Sequence, residues 1–171
     1  DGETYLIETK TISYSPSVST LLDSLNAVAP VRKTAQVFAN STFENRSLRF
    51  VNAEAVAVGK MFSVQPILGA TSQQFAKLSQ DSDIIHFSMH AQVDREEPLN
   101  SFLGFKSSGS NDGRLTVSDL LNVRLKQQSL AFVASCDTTN VLNGEGIVSI
   151  AWALLGSGST SVISSQWEAN D

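Results

Sequence analysis

The sequence predicts an α/β domain whose central, mainly parallel sheet is covered by helices on both faces. Two nearly continuous apolar runs, at residues 83–89 and 129–135, are typical of strands that are buried on both sides. Segments with apolar residues at helical spacing alternate with these and other short runs. The length of 171 residues, with 42% hydrophobic side chains, suffices for a sizeable core. We therefore expect residues 1–171 to form a single domain.

The amino-terminal part of the chain predicts short strands and two helices. Residues 5–7 and 11–14 favour β structure and are expected to form a hairpin or two edge strands. Ser17 then caps a helix that carries several leucines on one face. The elements expected next are a strand at 36–39, a helix at 50–62 and a strand at 64–68.

The second part of the chain has the clearer signals. Thr71 with Gln74, and Thr116 with Asp119, fit the capping box that begins a helix. The strands expected here lie at 83–89, 129–135 and 161–165, and an apolar helix is expected from about residue 146 to residue 155.

The composition excludes several classes of function. The chain has 12 basic and 17 acidic side chains, a net charge of −5, which argues against a nucleic-acid-binding surface. No apolar run approaches the roughly 18 residues that a membrane-spanning helix needs. The single cysteine excludes internal disulfides and zinc sites of the multi-cysteine type, so a reducing, cytoplasmic setting is expected.

The two ends of the sequence do not look like natural termini. The sequence begins with Asp1-Gly2-Glu3, without an initiator Met or a signal segment, and stops at Asp171 directly after a strand-like run. We therefore expect a fragment of a longer multidomain chain, truncated before the last elements of the fold. A sheet edge left exposed in this way favours formation of a homo-oligomer.

Two reactive side chains are expected at the carboxyl ends of parallel strands, where functional groups of such sheets usually lie. His90 directly follows the apolar run at 84–89, and Cys136 directly follows the run at 130–135. If the two strands are neighbours, their carboxyl ends share one edge, and the side chains approach across a cleft as thiol catalysis requires. Taken singly, a lone cysteine is more often a core residue, and a lone histidine is more often a structural hydrogen-bonding residue. His86 is expected to be packed in the interior beside this site.

The spacing of these residues and a series of motifs fit one known family. His90 precedes Cys136 by 46 positions, close to the roughly 50 of caspase-type enzymes. The motifs cover residues 12–17, 84–91 around His90, 134–139 around Cys136, Gly144-Glu145-Gly146 before an apolar helix, Gly156-Ser157-Gly158 and 161–171. In order and spacing they resemble CHAT domains, the caspase-like peptidase modules often attached to tetratricopeptide repeats.

The resemblance implies a caspase-hemoglobinase fold, a three-layer sandwich around the parallel sheet. It also implies a cysteine endopeptidase with a Cys136–His90 dyad. Backbone N–H groups of Cys136 and Ala91 would hold the oxyanion, and no metal or organic cofactor would take part. Two positions depart from the family pattern. The residue after the histidine is commonly Gly and is Ala91 here, and the pair before the cysteine is usually Ser-Ala and is Ala134-Ser135 here.

Three further side chains are candidates for substrate binding. Asp137 and Asp171 are expected to line a pocket that favours Arg or Lys at P1, and Trp167 is expected to form an apolar wall. This expectation follows from the charged pockets of caspases and separases. The alternative is that Asp137 caps the turn after its strand and that Asp171 caps a following helix.

The resemblance also implies partners and a biological setting. A protein substrate is expected, together with a tetratricopeptide-repeat or other regulatory region in the same chain or a partner chain. Bacterial signalling or defence is the implied setting, without direct nucleic-acid or membrane binding. The alternative is a catalytically silent caspase-like module used for protein–protein assembly. A small-molecule or nucleotide-binding α/β domain is a third hypothesis, which rests on fold analogy alone.

Overall fold

Five parallel strands form the central sheet of the molecule. The computed structural model describes residues 4–26, 31–127, 129–135 and 149–165. The strands are β1 (Ala35–Asn40), β2 (Thr42–Phe43), β3 (Arg46–Ser47), β4 (Ile67–Leu68), β5 (Ile84–Met89), β6 (Ala91–Gln92), β7 (Phe102–Gly104), β8 (Arg114–Thr116), β9 (Ser129–Ala134) and β10 (Ser159–Ser164). The helices are α1 (Leu6–Thr9), α2 (Val18–Asn26), α3 (Val51–Phe62), α4 (Ser72–Leu78), α5 (Val117–Leu120) and α6 (Ile150–Gly156), with 3₁₀ turns at Ser79–Asp81 and Pro98–Asn100.

The central sheet has the strand order β10-β9-β5-β1-β4, and each neighbouring pair is parallel. Parallel neighbours need crossover connections, and here helices α3, α4, α5 and α6 lie in the connections between strands of this sheet. The connection after β1 also contains the hairpin β2–β3, and the connection after β5 contains the antiparallel sheet β6-β7-β8. The predicted α/β fold with a parallel sheet between helices is confirmed, and it is consistent with a caspase-like three-layer sandwich.

Alternate residues of the strands pack into different layers. Phe38 of β1 and Phe87 of β5 face a core formed with α4, α5 and α6, and Phe75 of α4 packs against both rings at centroid distances of 5.5 and 5.3 Å. Val37 and Ala39 face α3 on the opposite side of the sheet. Because full burial of one such side chain is worth roughly 1.5–3 kcal/mol, these two layers hold the sheet that carries the candidate site.

The predicted helix starts are confirmed at their caps. The hydroxyls of Ser17, Thr71 and Thr116 each accept a hydrogen bond from the backbone N–H three residues further on, at 3.1, 3.3 and 3.0 Å. These bonds satisfy donors that have no partner within the first helical turn. The predicted start of the last helix near residue 146 lies outside the described residues, which show α6 from Ile150.

Two strand predictions near the amino terminus are wrong. Residues 5–7 belong to the helical turn α1, where Tyr5 N donates to Glu8 Oε1 at 3.3 Å, and residues 11–14 form no strand. β-favouring side chains form a strand only where another strand pairs with them, and these residues are exposed. The strand predicted at 64–68 is shorter, because Val64 N donates to Gly59 O at 2.9 Å and thereby closes the end of α3.

The small antiparallel elements were not expected from the sequence. β2, β3 and β6 are two residues long, and β7 and β8 are three, so none of them is long enough to show the alternation typical of a half-buried strand. Within the described ranges, none of the helices combines the length and the apolar character needed to cross a bilayer.

Candidate active site

The carboxyl ends of β5 and β9 lie side by side at one edge of the central sheet. In the last pair of their parallel register, Ser88 lies opposite Ala134. His90 follows β5 directly, and Cys136 comes two positions after the end of β9 in the sequence. The predicted Cys136, Asp137, Trp167 and Asp171 lie outside the described residues. The structure therefore describes the histidine half of the predicted dyad and the strand that leads to the cysteine.

His90 connects the central sheet with the antiparallel sheet β6-β7-β8. It is half-buried, and its carbonyl oxygen accepts a hydrogen bond from Gly104 N at 2.8 Å. This bond makes Ala91 and Leu103 a non-hydrogen-bonded pair of the antiparallel ladder, so the Ala91 N–H points away from β7. Ala91 is not among the described residues with positive φ, so alanine at this position requires no left-handed backbone.

Polar side chains join the strand ends around His90. The Ser135 hydroxyl donates to Met89 O at 2.7 Å, and the Ser165 hydroxyl donates to Ser135 O at 2.6 Å. On the other side of β5, Asn40 Nδ2 donates to Gly104 O at 3.0 Å. The two serine bonds extend the connections among β5, β9 and β10 beyond the regular ladders, and the Asn40 bond joins β1 to β7 of the antiparallel sheet.

His86 is packed in the interior, as predicted. Its side chain is on the α3 face of β5, only 5% of the residue is exposed, and its ring stacks on Phe132 at a centroid distance of 5.1 Å. His86 Nε2 lies 3.1 Å from Glu54 Oε1. The Ser88 hydroxyl donates to the other oxygen of the same carboxylate at 2.5 Å. Glu54 therefore ties α3 to the strand that ends at His90.

Hydrogen bonds hold the other end of β5 around Asp83. Its carboxylate contacts Lys126 Nζ at 2.6 Å and accepts hydrogen bonds from the backbone N–H groups of Lys33 and Thr34 at 2.9 Å each. These contacts, of which the one with Lys126 has the largest effect, hold the pKa of Asp83 well below its usual range. The carboxylate therefore remains ionised at neutral pH.

Glu54, Asn40 and Ser135 were not expected from the sequence as partners of the site. Glu54 gave a usable signal, because it shares the apolar face of the predicted helix with Val51 and Val58, three positions earlier and four later. A carboxylate on such a face indicates a polar partner on the element beneath. Asn40 and Ser135 gave no comparable signal, because a polar residue after an apolar run most often only marks the end of a strand.

The site contains no evident cation centre in the part of the chain that is described. There, no three histidine, cysteine, aspartate or glutamate side chains are grouped closely enough to hold a metal ion. What the described arrangement offers is an imidazole at a strand end and a backbone N–H beside it.

Comparison with known proteins identifies the family through one match. No curated protein matches the chain at a significant level. The model of the CHAT domain family matches residues 1–171. The match spans the whole sequence and agrees with the fold described above. The chain therefore belongs to the CHAT domain family, which is related to caspase-like peptidases.

Proposed function

We propose that this chain is a cysteine endopeptidase in which Cys136 is the nucleophile and His90 is the proton donor. The observation that carries the proposal is the parallel pairing of β5 and β9, the two strands that precede these residues in the sequence. The carboxyl ends of parallel neighbours share one edge of a sheet, where a thiolate and an imidazole can act together. Membership of the CHAT family supports the same function.

The proposed reaction has two chemical steps. In the first, the Cys136 thiolate forms a bond to the carbonyl carbon of the scissile peptide. The C–N bond then breaks, and His90 donates a proton to the departing amine. In the second, water attacks the thioester and gives a proton to His90, which releases the carboxylic acid and restores the Cys136 thiolate and the protonated imidazole. Neither step needs a metal ion or an organic cofactor.

Two backbone N–H groups are proposed to stabilise the oxyanion that forms in each step. The Ala91 N–H is suited to this role because it points away from β7. The Cys136 N–H is the second proposed donor. Losing one donor of this kind typically costs on the order of 10²–10³ in rate, so the position of the Ala91 peptide matters as much as that of the His90 imidazole.

The substrate and the setting are part of the proposal. The substrate is a protein, and Asp137 and Asp171 would favour Arg or Lys at P1 beside an apolar wall formed by Trp167. The chain would act in the cytoplasm as the effector of a repeat-containing bacterial signalling or defence protein. A tetratricopeptide-repeat or other regulatory region would control it.

The test is the rate of Cys136 alkylation by iodoacetamide as a function of pH. Cys136 is the single cysteine of the chain, so each alkylation event reports on this residue. We expect an apparent pKa well below the reference of about 8.5, which rises towards that reference in His90→Ala. His86→Gln is the matched control, because His86 is the other histidine of the chain and contacts Glu54 instead. It should leave the apparent pKa unchanged.

A second candidate function is protein–protein assembly by a catalytically silent module. The feature that favours it is the apolar surface of α2, where Val18, Leu22 and Leu25 are 51–74% exposed. Assembly without catalysis predicts a slow thiol with an ordinary pKa that is indifferent to His90→Ala, also when the regulatory region is present. That outcome would contradict the peptidase proposal.

A further inference from the structure

The backbone on both sides of His90 is fixed by hydrogen bonds. The peptide that precedes it is held through Met89 O, which accepts from the Ser135 hydroxyl at 2.7 Å. The peptide that follows it is held through His90 O, which accepts from Gly104 N at 2.8 Å. Because the planes of these two peptides determine where the Cα–Cβ bond points, the two hydrogen bonds together fix the bond from which the imidazole extends.

Ser135 occupies the position at which the ladder between β5 and β9 ends. The last register pair is Ser88 with Ala134, and the next residues in each strand are Met89 and Ser135. The Ser135 hydroxyl therefore bonds to the last carbonyl of β5, one position beyond the last register pair. Ser135 is 8% exposed and Met89 is completely buried, so water cannot readily take over this bond.

Ser135 is itself held from the opposite side. Its carbonyl oxygen accepts a hydrogen bond from the Ser165 hydroxyl at 2.6 Å, just after β10 ends. Ser135 thus joins the ends of three neighbouring strands, β5, β9 and β10. It is also the residue covalently bonded to Cys136.

We propose that Ser135 is a positioning residue that fixes the His90 imidazole relative to Cys136. This inference rests on the proposed peptidase function. Ser135 acts through the backbone of Met89 and through its bond to Cys136, without touching the substrate. Ser135 departs from the alanine that the resemblance implies at this position, and alanine has no hydroxyl.

The test compares Ser135→Ala, Ser135→Thr and Ser129→Ala in the iodoacetamide assay. Ser135→Ala removes the donor to Met89 O, and we expect the apparent pKa to rise by roughly one unit, which slows Cys136 alkylation below that pKa by up to about tenfold. Ser135→Thr keeps a hydroxyl and should stay within about threefold of the wild type. Ser129 is the matched control, because its buried hydroxyl bonds to Ser159 Oγ at 3.1 Å at the opposite end of β9. Its removal should leave the pH profile unchanged.

A further variant, Ser165→Ala, and the behaviour of the wild-type thiol distinguish a failure of the positioning role from a failure of the peptidase proposal. Ser165→Ala removes the support of Ser135, and it should raise the apparent pKa by a smaller amount even if Ser135→Ala does not fold. If the wild-type thiol has a lowered apparent pKa and neither Ser135→Ala nor Ser165→Ala changes its pH profile, the positioning role is overturned. The peptidase proposal then remains intact. Equal shifts in Ser129→Ala and Ser135→Ala also overturn it, because they indicate a general loss of packing. An unactivated wild-type thiol overturns both proposals together.

Discussion

The two ends of β5 are held by different kinds of hydrogen bond. At the amino end, the ionised Asp83 carboxylate bonds to Lys126 and to backbone N–H groups. At the carboxyl end, the donors are uncharged: the Ser135 hydroxyl and the Gly104 N–H bond to the backbone on either side of His90, and the Asn40 amide in turn bonds to Gly104 O. The hydrogen bonds at the amino end therefore require an ionised side chain, and those described at the carboxyl end do not.

The difference makes the two ends distinguishable by their response to pH. Asp83 and His90 are seven positions apart along an extended chain, which at about 3.3 Å per residue separates them by roughly 20 Å. The two ends therefore belong to separate groups of hydrogen bonds. Uncharged donors at the carboxyl end do not depend on pH. The three predictions below test whether the two ends respond differently.

The largest effect is expected from Asn40→Ala at the carboxyl end. Asn40 is buried, and its amide donates to Thr42 O at 2.8 Å and to Gly104 O at 3.0 Å. A buried carbonyl that loses its donor costs roughly 1–3 kcal/mol, so the free energy of unfolding should fall by that amount. Urea denaturation measures the loss, which should be the same at pH 5 and at pH 8 because no charged group is removed.

An exposed asparagine provides the control for this prediction. Asn122 donates a comparable bond to Ser118 O at 2.9 Å, but on the surface. Asn122→Ala should change the free energy of unfolding by no more than about 0.5 kcal/mol. A loss in Asn40→Ala as small as that of the control would mean that these bonds at the carboxyl end add little stability.

The elements that the sequence predicted well have causes within a few neighbouring residues. The caps at Thr71 and Thr116 depend on a residue three positions away, and the apolar runs of β5 and β9 show their burial directly. The positions of His90 and Ala91 followed from the end of such a run. Local causes of this kind can be read from one sequence without knowing the topology.

The features that escaped prediction depend on contacts between distant residues. The bond from Ser135 to Met89 joins residues 46 positions apart, and the bond from Asn40 to Gly104 joins residues 64 positions apart. Glu54 is 32 positions from His86. These contacts exist because the strand order is β9-β5-β1, which no local pattern specifies. The sequence could therefore indicate which residues end the strands, but not which groups hold them.

At the amino end, Asp83→Asn should lower stability in a manner that depends on pH. The contacts of Asp83, above all Lys126, hold its pKa below the ordinary value of 3.8. A lowered folded-state pKa gives a contribution that is complete well above pH 3.8 and is lost as the pH falls below it. Urea midpoints of the wild type and the variant should thus differ most at pH 7 and draw closer progressively as the pH falls below about 4.

The control for this pH dependence is Asp23→Asn, an exposed position on α2. Its urea midpoint should follow the wild type at every pH, because surface substitutions usually change stability by no more than about 0.5 kcal/mol. A wild-type advantage over Asp83→Asn that persists undiminished at pH 2 would show that the shape of the side chain, and not its charge, holds the amino end.

The smallest effect is expected from Lys126→Met. The ammonium group lies 2.6 Å from Asp83, but the Lys126 side chain is 40% exposed, and water and salt screen such a pair. Asp83 keeps its bonds to the backbone of Lys33 and Thr34, so the loss should be at most about 1 kcal/mol at low salt and smaller still at 1 M salt. The acid transition of Asp83 should nevertheless move to higher pH, because its largest source of pKa depression is gone. A loss equal to that of Asp83→Asn would instead make the lysine, rather than the backbone N–H groups, the group that holds the amino end of β5.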